Sequence, residues 1–213
     1  MPRDLPPVYL ITDRKQVFRE RSLPATLESL LKAGVRMIQL REKDLTAAEL
    51  YPLAKSIREL TLDYQALLLI NDRIDLAQAI QADGVHLGGH SLPVRSARKI
   101  LGSKAIIGVS THRETEIHAA HAQGADFVTF GPVFYTASKA AYGSPAGLQG
   151  LHEACARKPL PIYALGGITA KNISSVRQAG ADGAAMISAL IAAADPAAAF
   201  QQLSWPNKMR RQN

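Results

Sequence analysis

With 213 residues, 47% of them hydrophobic and 20% charged, the chain can bury one large core, and no apolar run nears the roughly 20 residues that span a bilayer. The formal charge of +7 is scattered except at Lys208-Met209-Arg210-Arg211 and only 6% of residues are aromatic, so a nucleic-acid stacking surface is not evident and a small phosphorylated ligand suits the positive field better. Cys155 is the single cysteine, which excludes an internal disulfide and a thiolate zinc site; with no secretory signal over Met1 to Thr12, the expected address is cytoplasmic.

Val8-Tyr9-Leu10-Ile11-Thr12 reads as a strand that stops at Asp13-Arg14. Leu27, Leu30 and Leu31 carry helical spacing over residues 24–34, with Gly34 as the stop. Residues 36–43 read as the second strand. Period-two geometry there puts Gln39, Arg41 and Lys43 on one side and Ile38, Leu40 and Glu42 on the other. An amide, a guanidinium and an ammonium leaving a strand end together suit an anion, although a strand finishing in solvated charges has the same pattern. A helix over residues 46–60 follows, then the apolar strand Ala66-Leu67-Leu68-Leu69-Ile70, ended by Asn71-Asp72.

The alternation continues with a helix over 74–82, a strand over 84–87, a helix over 92–101 and a strand over 105–109. Ser110-Thr111 then lead into a helix over 114–123. Further strands fall at 127–130, 161–165 and 183–187, before an alanine-rich helix near 189–203. Eight such units leave no residues for a second domain. The expected fold is therefore an α/β (β/α)8 TIM barrel, a single domain with the barrel over about 8–203 and a loose tail over 204–213. An open doubly wound sheet is the alternative, but no Gly-x-Gly-x-x-Gly follows the first strand. An internal echo supports the barrel: Gln81-Ala82-Asp83-Gly84, Gly124-Ala125-Asp126 and Gly180-Ala181-Asp182-Gly183 each stand where a helix hands over to a strand. Residues 131–147 break the rhythm and read as a mobile lid.

In such a barrel, chemistry gathers at the carboxyl ends of the strands, with phosphate after strands seven and eight. Strand two supplies Gln39, Arg41 and Lys43; strand three supplies Asn71 and Asp72, the latter suited to capping the next helix or to a hard cation. Ser110 and Thr111 are placed to cap, and His112 to lie on the first-turn surface. Thr136, Ser138 and Lys139 form a plausible phosphate grip. Gly166-Gly167 let backbone N–H groups approach an anion, Thr169 can start the next helix, and Ile187-Ser188 lie beside them on the closed ring. His86 reads as a satisfied interior histidine, whereas His90 falls at the mouth. Ser110 has no evident His/Asp arrangement, so a hydrolase triad is unsupported.

Taken in order, these segments resemble the thiamine phosphate synthase and thiazole tautomerase (TenI-like) superfamily: Gln39-Leu40-Arg41-Glu42-Lys43, Ile70-Asn71-Asp72-Arg73, Val85-His86-Leu87-Gly88, Gly131-Pro132-Val133-Phe134, Leu165-Gly166-Gly167-Ile168 and Met186-Ile187-Ser188. The resemblance implies that Gln39, Arg41, Lys43, Asn71, Ser110 and Lys139 hold an aminopyrimidine methyl diphosphate. Thr136, Ser138, Gly167, Ile187 and Ser188 would seat a thiazole phosphate, and Asp72 would carry Mg²⁺. Catalysis would fall to Arg41, Lys43, Ser110 and Lys139. One departure stands out: Ser91 occupies the place of the family's second acidic Mg²⁺ ligand. Tautomerase-like members lack that acid, need no metal and move a proton on a thiazole carboxylate phosphate, for which His90 would be the acid/base candidate. The tautomerase pattern, however, has a histidine where this chain has Pro132. A barrel that binds a phosphorylated ligand without turnover is the third reading, and a homo-oligomer is compatible with all three.

Overall fold

Eight short apolar runs close on themselves because each is too short to bury its surface alone. A computed structural model, which describes residues 4–19, 21–136, 144–203 and 205, shows one closed barrel of parallel strands in the order β1 to β8. The strands are β1 (Val8–Ile11), β2 (Met37–Leu40), β3 (Leu67–Asn71), β4 (Gly84–Leu87), β5 (Ile106–Thr111), β6 (Phe127–Phe130), β7 (Ile162–Leu165) and β8 (Gly183–Met186). Around them run α1 (Leu23–Ala33), α2 (Ala47–Asp63), α3 (Ile74–Ala79), α4 (Val94–Leu101), α5 (Glu114–Ala122), α6 (Gly147–Ala156), α7 (Ile173–Gln178), α8 (Ser188–Ile191) and α9 (Pro196–Gln201). Closure is made by β8 on β1, with Tyr9 opposite Ala185.

Strand alternation divides the apolar residues into two cores. Val8, Leu10, Ile38 and Leu68 face the helices, while Tyr9, Ile11, Met37, Leu69, Phe127 and Tyr163 fill the barrel. Inside, Tyr9, Phe127 and Tyr163 meet edge to face, with centroids 5.2–6.0 Å apart. Small residues make room for them: a Cβ on Gly108 would fall 2.3 Å from the Phe127 ring, and one on Gly183 would fall 2.4 Å from the Tyr163 ring. Burying each large apolar side chain stabilises the fold by about 1.5–3 kcal/mol.

The Asp echo in the sequence is a repeated clamp at the amino-terminal end of the barrel. Asp83 Oδ2 accepts from Leu68 N–H and Arg58, Asp126 Oδ2 from Ile107 N–H and Arg98, and Asp182 Oδ2 from Ile162 N–H while pairing with Lys158. Each aspartate precedes an even strand and holds the start of the odd strand beside it. A cation from the helix before that odd strand, or from just past its end, neutralises the carboxylate. The clamp therefore sets register between neighbouring strands.

The structure corrects several expected boundaries. β2 stops at Leu40 rather than at residue 43, because Arg41 N–H bonds Thr12 Oγ1 and the buried Glu42 carboxylate accepts from Thr12 Oγ1 at 2.7 Å and from Arg14 N–H. β5 runs on through Ser110 and Thr111, which pair with Thr129 and Phe130, so neither residue caps a helix. α5 in fact has Arg113 before it and no side-chain cap. The final helix is two helices, because Asp195 accepts from Ala198 N–H and starts α9 at Pro196. α7 begins only at Ile173; the Thr169 N–H instead donates to Asn172 Oδ1. Within the expected loose tail, Trp205 is half-buried and packs against the outer core.

Candidate active site

At the carboxyl-end rim, β1 and β2 hand over to loops that sort charge. In Arg41-Glu42-Lys43-Asp44 the two acids are occupied. Glu42 is only 5% exposed and accepts from Thr12 Oγ1 and from the Arg14 backbone and guanidinium. Asp44 takes both guanidinium nitrogens of Arg14, at 2.6 and 2.9 Å, and the Lys15 ammonium at 2.8 Å. Those bonds hold the Asp44 carboxyl well below the usual carboxylate range. The intervening cations have no acidic partner among the described residues: Arg41 is half-buried and Lys43 is exposed. Of the two sides read from the strand period, Gln39 does face the interior, but the loop geometry beyond Leu40 ends the alternation.

Beneath these cations lies a polar layer. Gln39 Nε2 donates to Tyr9 Oη at 2.9 Å, Tyr9 Oη lies 3.3 Å from His86 Nδ1, and His86 Nε2 lies 3.0 Å from Ser110 Oγ. Burial lowers the His86 pKa to about 3, and the positive charge of Arg41 adds to the effect, which places that guanidinium within electrostatic reach of the barrel interior. His86 is thus a satisfied interior histidine. His90 is exposed in the turn over residues 88–91.

Asn71 ends β3 opposite His86. Asp72 follows with φ 63°, exposed, and does not cap α3, whose preceding residue Arg73 makes no side-chain cap bond. Ser91 Oγ accepts from Gly88 N–H at 2.7 Å and so closes the turn after β4. Across the ring, Gly166 and Gly167 have φ values of 104° and 64°, and a Cβ on either would strike the loop after β6, at Pro132 or Phe134. These glycines therefore admit the neighbouring backbone: Val133 N–H bonds Leu165 O and Phe134 N–H bonds Gly166 O. Thr136 is half-buried at the end of that described stretch. Ile187 packs against the interior core, and Ser188 Oγ donates to Gln16 Oε1 at 2.5 Å. Ser138 and Lys139, with the rest of residues 137–143 of the expected lid, lie outside the described residues.

Sequence reasoning passed over Tyr9, Glu42 and Thr129. Tyr9 had a visible signal, an aromatic with a polar handle on the inward period of an apolar strand. Glu42 had none, since a buried carboxylate in a charged run looks like a solvated one. Among the described residues no group of three or more His, Cys, Asp or Glu could hold a metal, and no helix is long and apolar enough to cross a membrane.

Residues 8–190 match the family model described as thiamine monophosphate synthase. A relative from Geobacter sulfurreducens is 53% identical over 189 residues, 89% of this chain and 88% of that one. The thiamine-phosphate synthase of Clostridium novyi is 44% identical over 184 residues, covering 86% of this chain and 90% of its own. The thiamine phosphate pyrophosphorylase structure from Pyrococcus furiosus superposes with a TM-score of 0.83 at 35% identity and 92% coverage of both chains. A rim on which Arg41 and Lys43 have no acidic partner among the described residues, and likeness of sequence and fold along nearly the whole chain, have one common reading: the chain belongs to the thiamine monophosphate synthase family.

Proposed function

We propose that the protein is a thiamine-phosphate synthase, a cytoplasmic transferase that joins 4-amino-2-methyl-5-(diphosphooxymethyl)pyrimidine to thiazole phosphate and releases pyrophosphate. The observation that carries this reading is the sorting of charge after β2: Arg14 and Lys15 take up Glu42 and Asp44, leaving Arg41 and Lys43 for a polyanion. In the reaction the methylene C–O bond breaks with its electron pair passing to the diphosphate, and the thiazole nitrogen lone pair forms the new C–N bond. Negative charge gathers on the leaving group, where Arg41, Lys43 and Lys139 would bind it and Ser110 and Asn71 would add hydrogen bonds. Gln39 would set the pyrimidine over the polar layer. Thr136, Ser138, Gly167, Ile187 and Ser188 would seat the thiazole phosphate and aim its nitrogen.

The donor set suits Mg²⁺ held by one carboxylate, because this ion keeps several waters and commonly shares a protein carboxylate with substrate phosphates. Asp72, exposed at the rim and without a side-chain hydrogen bond among the described residues, would hold it. The ion would neutralise charge on the departing diphosphate.

The test is incubation with both substrates, with and without Mg²⁺, beside a parallel incubation with thiazole carboxylate phosphate. Thiamine phosphate formed in step with pyrophosphate is the expected result. Isomerisation of the carboxylate phosphate without metal, or binding with no product, would overturn the assignment.

A further inference from the structure

The buried polar layer has a direction. Tyr9 Oη already accepts from Gln39 Nε2, and burial raises the phenol's pKa so that it keeps its proton. That proton needs an acceptor, and His86 Nδ1 stands 3.3 Å away. Leaving it unbonded in a fully buried site would cost about 1–3 kcal/mol. A neutral ring whose Nδ1 accepts carries its hydrogen on Nε2. From there it donates to Ser110 Oγ at 3.0 Å, with Thr129 Oγ1 the longer neighbour at 3.4 Å. The Ser110 hydroxyl proton is then left to point elsewhere. The ring is fixed in place: a Cβ at Gly108 would fall 2.6 Å from Nδ1, and the Tyr9 and Phe127 rings lie 5.7 and 5.8 Å away.

The geometry points to Tyr9 and His86 as positioning residues that hold Ser110 as a hydrogen-bond donor toward the anionic group bound in the barrel mouth. The identity of that anion, the leaving diphosphate, rests on the synthase reading. His86 does not exchange protons with substrate; it accepts on one side and donates on the other, so Ser110 meets the phosphate oxygen with its proton.

The ring itself can be read. In substrate-free protein carrying ¹⁵N-histidine, His86 is expected as the Nε2–H tautomer at neutral pH. Its signals are identified by their loss in His86→Gln, or by Overhauser contacts to the Phe127 ring should that variant not fold. An Nδ1–H tautomer overturns the inference whether or not the protein is active. Tyr9→Phe removes the proton offered to Nδ1 and is expected to populate the other tautomer; an unchanged spectrum overturns the role of Tyr9. In assays with both substrates, His86→Gln, which keeps an N–H near the Nε2 position, is expected within about tenfold of wild type. His86→Leu is expected to lose about 100-fold in kcat at unchanged KM for thiazole phosphate. Equal losses in the two variants also overturn it. Wild-type protein that makes no thiamine phosphate overturns the reaction reading instead, and the tautomer is measured independently of that outcome.

Discussion

Glu42 and Lys43 are neighbours with opposite fates, one 5% exposed and bonded four ways, the other exposed without an acidic partner among the described residues. Removing Arg41 by Arg41→Gln should raise KM for the pyrimidine diphosphate about tenfold or more while leaving thiazole phosphate binding little changed, since a forked, charge-assisted contact is lost; steady-state kinetics with each substrate varied would show it. Ser91→Asp should strengthen Mg²⁺ dependence, read as a lower Mg²⁺ concentration for half-maximal rate. No change would count against Ser91 as the occupant of a ligand position. His86 adds a pH effect on stability. Its folded pKa of about 3 lies below the value of 6.5 for an unperturbed histidine, so between these limits the unfolded chain binds more protons. The contribution is complete above pH 6.5 and is lost as pH falls toward 3, at up to about 1.4 kcal/mol per pH unit. Urea unfolding at pH 7 and pH 5 should show the drop, and His86→Gln should flatten it.

At the scale of elements, the three aspartate clamps convert a sequence echo into register. Asp126→Ala strips the Ile107 N–H and Arg98 of their shared acceptor and should cost about 2–3 kcal/mol, the worth of hydrogen bonds to a charged group. Asp126→Asn keeps an acceptor for the N–H and should cost less; denaturant midpoints would rank the two. The fourth place of the echo, before β2, holds Arg36, which instead donates to Leu31 O and Val35 O. The elements themselves were legible from period and punctuation. Their ends were not, because the Thr12 hydroxyl takes the Arg41 N–H just past Leu40, and Thr129 and Phe130 extend β5 by pairing.

Across the whole molecule, the charge of +7 should speed capture of a phosphorylated substrate. Raising ionic strength from about 0.01 to 0.15 M shortens the screening length from about 30 to 8 Å, so kcat/KM for the diphosphate substrate should fall while kcat changes little. A rate independent of salt would mean that only the local cations at the rim attract it.

By itself the sequence determined that eight βα units form one barrel and that amide, cations and carboxylate sit at strand ends, because hydrophobic period and turn residues are local properties. Only the tertiary structure decided which acids Arg14 and Lys15 take up and which hydroxyl His86 faces. Arg14 and Glu42 lie far apart in the chain, as do Tyr9, His86 and Ser110, and their bonding follows from ring closure, which no local pattern encodes.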